Sequence, residues 1–468
     1  MTRLFASLPL SVVGLALFLG CSASKDSGGE VPLGDTGGAG DTATTGDTSI
    51  TPRPDGGDEG GLIVPDALPP TDGSSSCATG DCDKDGYAGS ADCNDLDGTI
   101  NPEAYDFEGD DTDNDCDGTK DNPVTSCPPT DLASKDAMQF ARAGDLCAQR
   151  SKTKAGAVFD PLTKAEWLSS KAGGGLSTSS TIVAGLNHAG AVKMLAGFGE
   201  NAARFGGSLF VLETGAALEN DPRKGTPLDG TLFPALVANA CTAIPLATDD
   251  CKSLSNGSLA GSVGVQDYTE IKLTVRVPSN AQAMIFDFAF FSTEFNEYWH
   301  SQFNDAFFAL ATTKAFKNLN VAKDITGGAV TVNSGFFQLC PKPPGPAGIE
   351  MAAALANCVG VDGDDAKKIF GKLKGTFFDG SGAGSTDDTI MSPPPPPASG
   401  GDKKYIYGGG SGWLTTKFGV EPGETMTLRF MVMDTGDGAL DSAAIIDHIT
   451  WEKAPPKTAT GEVDRPPR

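Results

Sequence analysis

The sequence has little histidine and little positive charge, and both deficits limit what the protein can do. Its 468 residues include three histidines and 35 lysines and arginines against 61 aspartates and glutamates, a net charge of −26. Such a surface repels phosphate groups, so we expect no nucleic-acid partner. The three histidines, His188, His300 and His448, are scattered, and a lone histidine is more often a packed residue than a catalyst.

Familiar catalytic motifs are also missing. The chain contains no G-x-S-x-G, no H-E-x-x-H and no P-loop. We therefore expect a protein that is not an enzyme. Two alternatives stay open: a secreted carbohydrate-active hydrolase that uses Glu294, Glu297 or Asp305 as its carboxylates, and a purely structural spacer of the cell envelope.

The N-terminus has the features of an export signal. Arg3 precedes an apolar stretch, Leu8–Leu19, that is too short to span a membrane. The sequence Leu-Phe-Leu-Gly before Cys21 resembles the lipobox of bacterial lipoproteins, which implies cleavage after residue 20 and acylation of Cys21. Ser22 then favours the outer membrane. We expect an outer-membrane lipoprotein, held to the membrane by this lipid and exposed on the cell surface.

Residues 21–76 are rich in Gly, Asp, Ser and Thr and hold few apolar side chains. Such a composition cannot build a core, so this stretch is predicted to be a disordered tether. Its mean reach as a flexible chain is about 40 Å.

Residues 77–127 form a dense acidic stretch that contains cysteines. Asp83-Lys84-Asp85-Gly86 places oxygens at alternate positions before a glycine, as in calcium loops, and Asp113–Gly118 repeats the pattern. No histidine lies here, so oxygen ligation favours calcium over copper. The predicted ligands are Asp81, Asp83, Asp85, Asp92, Asp95, Asp97, Asp113, Asp115 and Asp117. The alternative is a disordered acidic linker.

This stretch resembles the MopE-type putative metal-binding motif. The likeness lies in Asp92–Asp95, in Pro102-Glu103-Ala104 and in Asp113–Gly118. The resemblance implies a small metal-binding module, and we refer to residues 77–127 as the acidic module.

The cysteine count indicates an oxidising compartment. Ten cysteines remain beyond Cys21, an even number without any C-x-x-C, which favours disulfides over metal thiolates. Sequence does not fix the connectivity, but proximity suggests five pairs: Cys77–Cys82, Cys93–Cys116, Cys127–Cys147, Cys241–Cys251 and Cys340–Cys358.

Residues 128–456 are predicted to form one mainly β domain, followed by a disordered tail over 457–468. The spacing of Ala133, Ala137, Phe140 and Ala141 predicts a helix over Asp131–Cys147. The strand predictions are Ser208–Glu213, Ile271–Val277, Ala283–Phe291, Ala329–Asn333, Met426–Met433 and Ala443–Trp451. This pattern, broken by glycines, indicates an antiparallel, jelly-roll-like sandwich with a few short helices. Two insertions are expected, a short helix within Lys342–Gly360 and a surface loop over Asp379–Lys403.

Two strand–acid–strand units lie far apart in this domain. One places acids and an amide between apolar runs, and the other places three aspartates after the strand that begins at Met426. These side chains are Glu294, Glu297, Asn304 and Asp305 in the first unit, and Asp434, Asp437 and Asp441 in the second. Oxygens at strand ends are what Ca²⁺ requires, so we predict that both units close one structural calcium site. The alternative is that these acids only pin loops through backbone hydrogen bonds.

The same two units resemble the signature blocks of the choice-of-anchor L domain, a bacterial surface domain of poorly known function. The matching words are FSTEFNEYWHSQFNDAFF and DTGDGALDSAAIID, with ARFGGSLFVLETGAA upstream. The likeness covers roughly Asp131–Glu452. It implies a surface protein, and we expect non-catalytic binding, adhesion or display, with an extracellular glycan or protein as ligand.

Overall fold

A computed structural model of the chain describes most of the acidic module and of the β domain. The described residues are 80–122, 129–146, 159–170, 176–179, 191–199, 201–215, 241, 244–254, 265–294, 304–324, 327–334, 376, 378, 409–435, 441–458 and 461–464. The signal segment, Cys21, the tether, His188, His300, the Lys342–Gly360 helix and the Asp379–Lys403 loop lie outside these residues.

The described part of the β domain consists of sixteen strands, two short α-helices and one 3-10 turn. The helices are α1 (Ala137–Ala143) and α2 (Thr248–Leu254), and the 3-10 turn is Val332–Ser334. The strands are β1 (Leu162–Ser170), β2 (Leu176–Ser179), β3 (Val192–Leu195), β4 (Gly197–Phe198), β5 (Asn201–Ala202), β6 (Leu209–Glu213), β7 (Val265–Arg276), β8 (Ala283–Ser292), β9 (Ala306–Thr312), β10 (Leu319–Asn320), β11 (Val330–Thr331), β12 (Gly409–Gly410), β13 (Leu414–Gly419), β14 (Thr425–Thr435), β15 (Ser442–Glu452) and β16 (Glu462–Asp464). None of the described helices is long and apolar enough to cross a membrane.

Fourteen of these strands form two antiparallel sheets that pack face to face, so the predicted sandwich is confirmed, while β4 and β5 pair separately. The first sheet has the order β10-β9-β14-β7-β1-β2, with β11 beside β9. The second has the order β16-β13-β8-β15-β6-β3, with β12 beside β8. Strands β7, β8 and β9 alternate between the sheets, as do β13, β14 and β15. This alternation is jelly-roll-like.

Phenylalanines fill the space between the sheets. Phe286 of β8 meets Phe430 of β14 edge to face, with ring centroids 5.0 Å apart, and Phe288 lies 5.2 Å from Phe307 of β9. The outward faces of the same strands are covered too, since Phe308 and its neighbours form a second buried cluster. Burial on both faces explains why β8, β9 and the first half of β15 are almost wholly apolar.

Five of the six predicted strands are present, four with ends within two residues of the prediction; the fifth, β7, begins at Val265 rather than Ile271. Ala329–Asn333 is the exception, because only Val330–Thr331 pairs and a 3-10 turn follows. The prediction missed β1 and β13, whose threonines and lysines gave a weaker apolar signal. Residues Glu462–Asp464, expected within a disordered tail, form β16 and pair with β13.

The predicted helix over Asp131–Cys147 is shorter than expected. It spans only Ala137–Ala143, because the side chain of Asp136 caps the N–H of Met138 and so begins the helix there. Ala133 lies before this cap and is exposed. Gly144 ends the helix.

The acidic module packs onto the end of the sandwich where β7 turns into β8, which we call the docking end. The N–H of Tyr105 donates to Asn280 Oδ1 at 2.7 Å, and Asn280 Nδ2 donates back to the Tyr105 carbonyl at 2.8 Å. The Tyr105 hydroxyl lies 3.0 Å from that of Thr450, and Arg276 pairs with Glu103. The boundary at residues 127 and 128 stays a prediction, because residues 123–128 lie outside the described part.

Two predicted disulfides are confirmed, Cys93–Cys116 in the module and Cys241–Cys251 beside α2. Cys82 is also disulfide-bonded, to a cysteine outside the described residues. The predicted pairs Cys127–Cys147 and Cys340–Cys358, and Cys77 itself, lie outside the described residues as well.

We expect Asn280→Ala to destabilise the protein by about 2–4 kcal/mol, because it leaves the buried N–H and C=O of Tyr105 without partners. Chemical denaturation measures the loss. The control is Asn94→Ala on the module, which is expected to change stability by no more than about 0.5 kcal/mol. Equal, small effects of both substitutions would show that docking through Asn280 does not stabilise the fold.

Candidate functional site

Two connections between the sheets meet at the opposite end of the sandwich, which we call the crossing end. The chain leaves the second sheet at Ser292 and enters the first at Ala306; it leaves the first again at Thr435 and returns to the second at Ser442. Register places these termini together, since Ser442 pairs with Ser292. The two strand–acid–strand units therefore come side by side because both cross between sheets at one end.

Three carboxylates of the two units converge here. Glu294, Asp305 and Asp434 each offer an oxygen, and these oxygens all lie within 4.8 Å of one another. None of the three residues is more than 1% exposed. The sequence-based prediction that both units contribute to one place in the fold agrees with this geometry.

Hydrogen bonds fix Asp305 at the centre of the group. Its Oδ2 accepts from Ser442 Oγ at 2.6 Å, and its Oδ1 accepts from the N–H of Thr435 at 3.3 Å. Its own N–H donates to Glu294 Oε2 at 3.3 Å. Both crossings are thus tied to one carboxylate.

The spacing fits a hard cation of the size of Ca²⁺. Calcium–oxygen distances are about 2.4 Å, so two oxygens on opposite sides of one ion are at most about 4.8 Å apart. An arrangement of carboxylate oxygens alone favours calcium, magnesium or manganese over softer metals.

Asp441 lies next to this group in an unusual environment. Its side chain is 1% exposed, and no hydrogen-bond donor among the described residues reaches either carboxylate oxygen. Burial, and then the charges of Asp305 and Asp267, raise the pKa of Asp441 to about 8. Gly215 faces it so closely that a Cβ there would lie 2.2 Å from the carboxyl carbon. We call Glu294, Asp305, Asp434, Asp441 and Asp267 the acid cluster.

Asn304 has a different role from the predicted one. Its Nδ2 donates to the Ser253 carbonyl at 2.6 Å, and its Oδ1 accepts from the N–H of Asn333 at 2.8 Å. The amide thus pins two neighbouring segments, as the loop-pinning alternative expects. Glu297 and Asp437 lie outside the described residues. Asp267 of β7 was not predicted, because it stands in an ordinary strand pattern.

The acidic module contains two loops of the same construction. Asp81 accepts from the N–H groups of Lys84 and Gly86, and Asp113 accepts in the same way from Asp117 and Gly118. Lys84 and Cys116 both have positive φ, 68° and 58°, and the two glycines follow with φ of 99° and 98°. The predicted repeat is therefore a repeat of backbone geometry as well.

Each loop brings three carboxylates together, Asp81, Asp83 and Asp85 in the first and Asp113, Asp115 and Asp117 in the second. In the first loop, the Oδ2 atoms of Asp83, Asp85 and Asp92 are buried, and no donor among the described residues reaches them.

Burial raises the pKa of Asp85 and of Asp92 above the ordinary value. In the second loop, burial and then the charge of Asp117 raise the pKa of Asp115 to about 7. A bound cation would lower these pKa values again, because its positive charge favours the ionised carboxylate.

Two predicted ligands of the module are engaged elsewhere. Asp97 is exposed and accepts from the backbone and hydroxyl of Thr99, so it only shapes a turn. Asp95 Oδ1 accepts from the N–H of Cys82 at 3.2 Å. Cys93 and Cys116 lie beside Asp92, but their disulfide leaves no thiolate to bind a metal.

A separate pair of acids, Asp145 and Asp447, was not among the predicted site residues. Both side chains are at most 1% exposed. Asp447 accepts backbone N–H groups of Arg204, Phe205 and His448. Burial, and then the charge of Asp447, raise the pKa of Asp145 to about 8, and burial raises that of Asp447 to about 6.

Comparison with family models, with curated proteins and with solved structures finds no match to this chain.

The Asp145–Asp447 pair makes stability depend on pH. Both pKa values are raised in the folded protein, so the pair's contribution is full below about pH 4 and is lost as the pH rises through 6 and 8. We expect Asp145→Asn to gain stability relative to the unsubstituted protein between pH 5 and pH 9, by on the order of 2 kcal/mol. Urea unfolding in a chelating buffer measures this difference.

The matched control is Asp111→Asn. The carboxylate of Asp111 is exposed, and its backbone has the left-handed conformation, which asparagine also adopts readily. Its stability difference from the unsubstituted protein is expected to be independent of pH. A flat difference for Asp145→Asn as well would contradict the raised pKa values of the pair.

Proposed function

We propose that this protein is an exported, lipid-anchored protein of the bacterial outer surface that binds or displays rather than catalyses. Calcium would stabilise both its acidic module and the crossing end of its sandwich. The observation that carries the proposal is the convergence of Glu294, Asp305 and Asp434, from two distant parts of the chain, in a buried group of calcium-sized spacing.

The burial of these carboxylates favours a cation over a glycosidase site. The paired carboxyls of glycosidases face a sugar-sized cleft. Here the nearest oxygens of Glu294 and Asp305 lie within 4.8 Å, and the two residues are 1% and 0% exposed, so neither faces such a cleft. Buried carboxylates at this spacing are suited to sharing an ion.

A surface location gives such sites their ion. Calcium outside cells reaches millimolar levels, at which even weak sites fill, and each filled site stabilises the folded state. The lipobox-like sequence before Cys21 and the acidic tether support an anchored, extracellular setting. The ligand class we propose is an extracellular glycan or protein.

We expect calcium to raise the melting temperature and a chelator to lower it by roughly 5 °C or more, because calcium at 100 times its Kd contributes about 2.7 kcal/mol. The measurement is calorimetry of the exported chain carrying Cys21→Ser. Asp434→Asn is expected to reduce the calcium response, and Asp111→Asn to retain it.

A melting temperature that ignores both calcium and chelator would refute the calcium sites. Glycan hydrolysis that disappears in Glu294→Gln, with the fold intact, would instead support the hydrolase alternative. If the protein bound neither glycans nor cell surfaces, the alternative of a structural envelope spacer would be favoured.

The anchor is tested separately. We expect Cys21→Ser to move the protein from the membrane fraction to the soluble exported fraction, because the acylated thiol is lost. Cys82→Ser is the matched control, since it removes a disulfide cysteine and leaves the anchor. Retention of the Cys21→Ser protein in membranes would contradict lipid anchoring.

A further inference from the structure

The acid cluster holds more negative charge than a single divalent cation balances. Its five carboxyls, from Glu294, Asp305, Asp434, Asp441 and Asp267, are each at most 2% exposed. One Ca²⁺ at Glu294, Asp305 and Asp434 would leave Asp441 outside its reach. A buried carboxylate that is neither paired nor neutralised is costly, so Asp441 needs a partner of its own.

The geometry divides the cluster into two parts. The oxygens within 4.8 Å of one another belong to Glu294, Asp305 and Asp434, and Asp441 is not in that set. Asp441 directly precedes Ser442, whose hydroxyl donates to Asp305, and the charges of Asp305 and Asp267 raise its pKa. Asp267 stands on β7 beside Gln266, which pairs with Asp434. Asp305 therefore lies between the first group and Asp441.

Asp441 is held in place through its main chain. Its carbonyl accepts from both the N–H and the hydroxyl of Thr293, at 3.2 and 2.9 Å. No donor among the described residues reaches either of its side-chain oxygens. An aspartate that only pinned a loop would accept backbone N–H groups, as Asp305 does.

Gly215 shapes the space that Asp441 occupies. A Cβ at this position would lie 2.2–2.3 Å from all three atoms of the carboxylate group. A glycine here therefore lets an unpartnered carboxylate enter a buried position among other acids. A charged carboxylate in this position destabilises the fold unless a cation lies against it.

We propose that the acid cluster binds two hard divalent cations of the calcium class, one held by Glu294, Asp305 and Asp434 and the second by Asp441 with Asp267 and a shared Asp305. The inference rests on the proposed calcium site at the first group. Two ions would supply four positive charges to five carboxyls and would join β7, both crossings and the segment after β6.

The test counts calcium ions per chain by equilibrium dialysis of the full exported chain with Cys21→Ser. We expect Asp441→Asn to lower the count by one relative to the unsubstituted protein, and Asp434→Asn to lower it by one or two. Asp111→Asn, at an exposed acid of the module, is expected to leave it unchanged. The acidic module contributes equally in all four proteins, so differences report on the cluster.

Each outcome decides between the two proposals. A count lowered by Asp434→Asn but unchanged by Asp441→Asn would overturn the second cation and leave the first. Counts unchanged by both substitutions would overturn both, since the cluster would hold no ion.

A second measurement does not depend on whether the variants fold. Anomalous scattering from terbium-bound crystals of the unsubstituted chain locates each ion directly. Two peaks in the cluster, one of them against Asp441, are expected. A single peak among Glu294, Asp305 and Asp434 would overturn the second cation, and no peak in the cluster would overturn both.

Discussion

Buried negative charge at the crossing end is the constraint on which the rest of the sandwich depends. The two sheets are connected there twice, and both connections bring carboxylates inward, with Asp305 hydrogen-bonded to groups on each. Such an end is unfavourable without compensation, because desolvated carboxylates repel each other. The apolar core supplies the cohesion between the sheets, while the state of these acids determines whether the crossings stay together.

The acidic module meets the same constraint in a different way. In each of its two loops the first aspartate, Asp81 or Asp113, accepts hydrogen bonds from backbone N–H groups of the loop. Carboxylate oxygens of the following aspartates lie close to it. The Cys93–Cys116 disulfide and the contact of Tyr105 with Asn280 keep this charge next to the sandwich. Acidic groups thus lie at both ends of the β strands, and we propose that the same kind of cation stabilises both.

Much of the fold was predictable because the long strands have unmistakable patterns. Apolar runs identified β8 and β15, and alternation identified β14 with its inward face. The edge strand β16, and β1 and β13, which each lie next to an edge strand, were missed because their polar side chains resemble loop composition. The helix after Asp131 was predicted too long, because Ala133 fits the helical spacing but lies outside the Asp136 cap.

The sequence by itself determined the class of the fold and the chemistry of the acids, because strand periodicity and oxygen spacing are local properties. Proximity in the chain also suggested five cysteine pairs, of which Cys93–Cys116 and Cys241–Cys251 are confirmed. Only the tertiary structure decided which acids share a volume. Asp267 and Asp441 join Glu294, whereas Asn304 is used for pinning and Asp97 faces solvent. These outcomes depend on strand register and sheet crossing, which bring together residues more than a hundred positions apart.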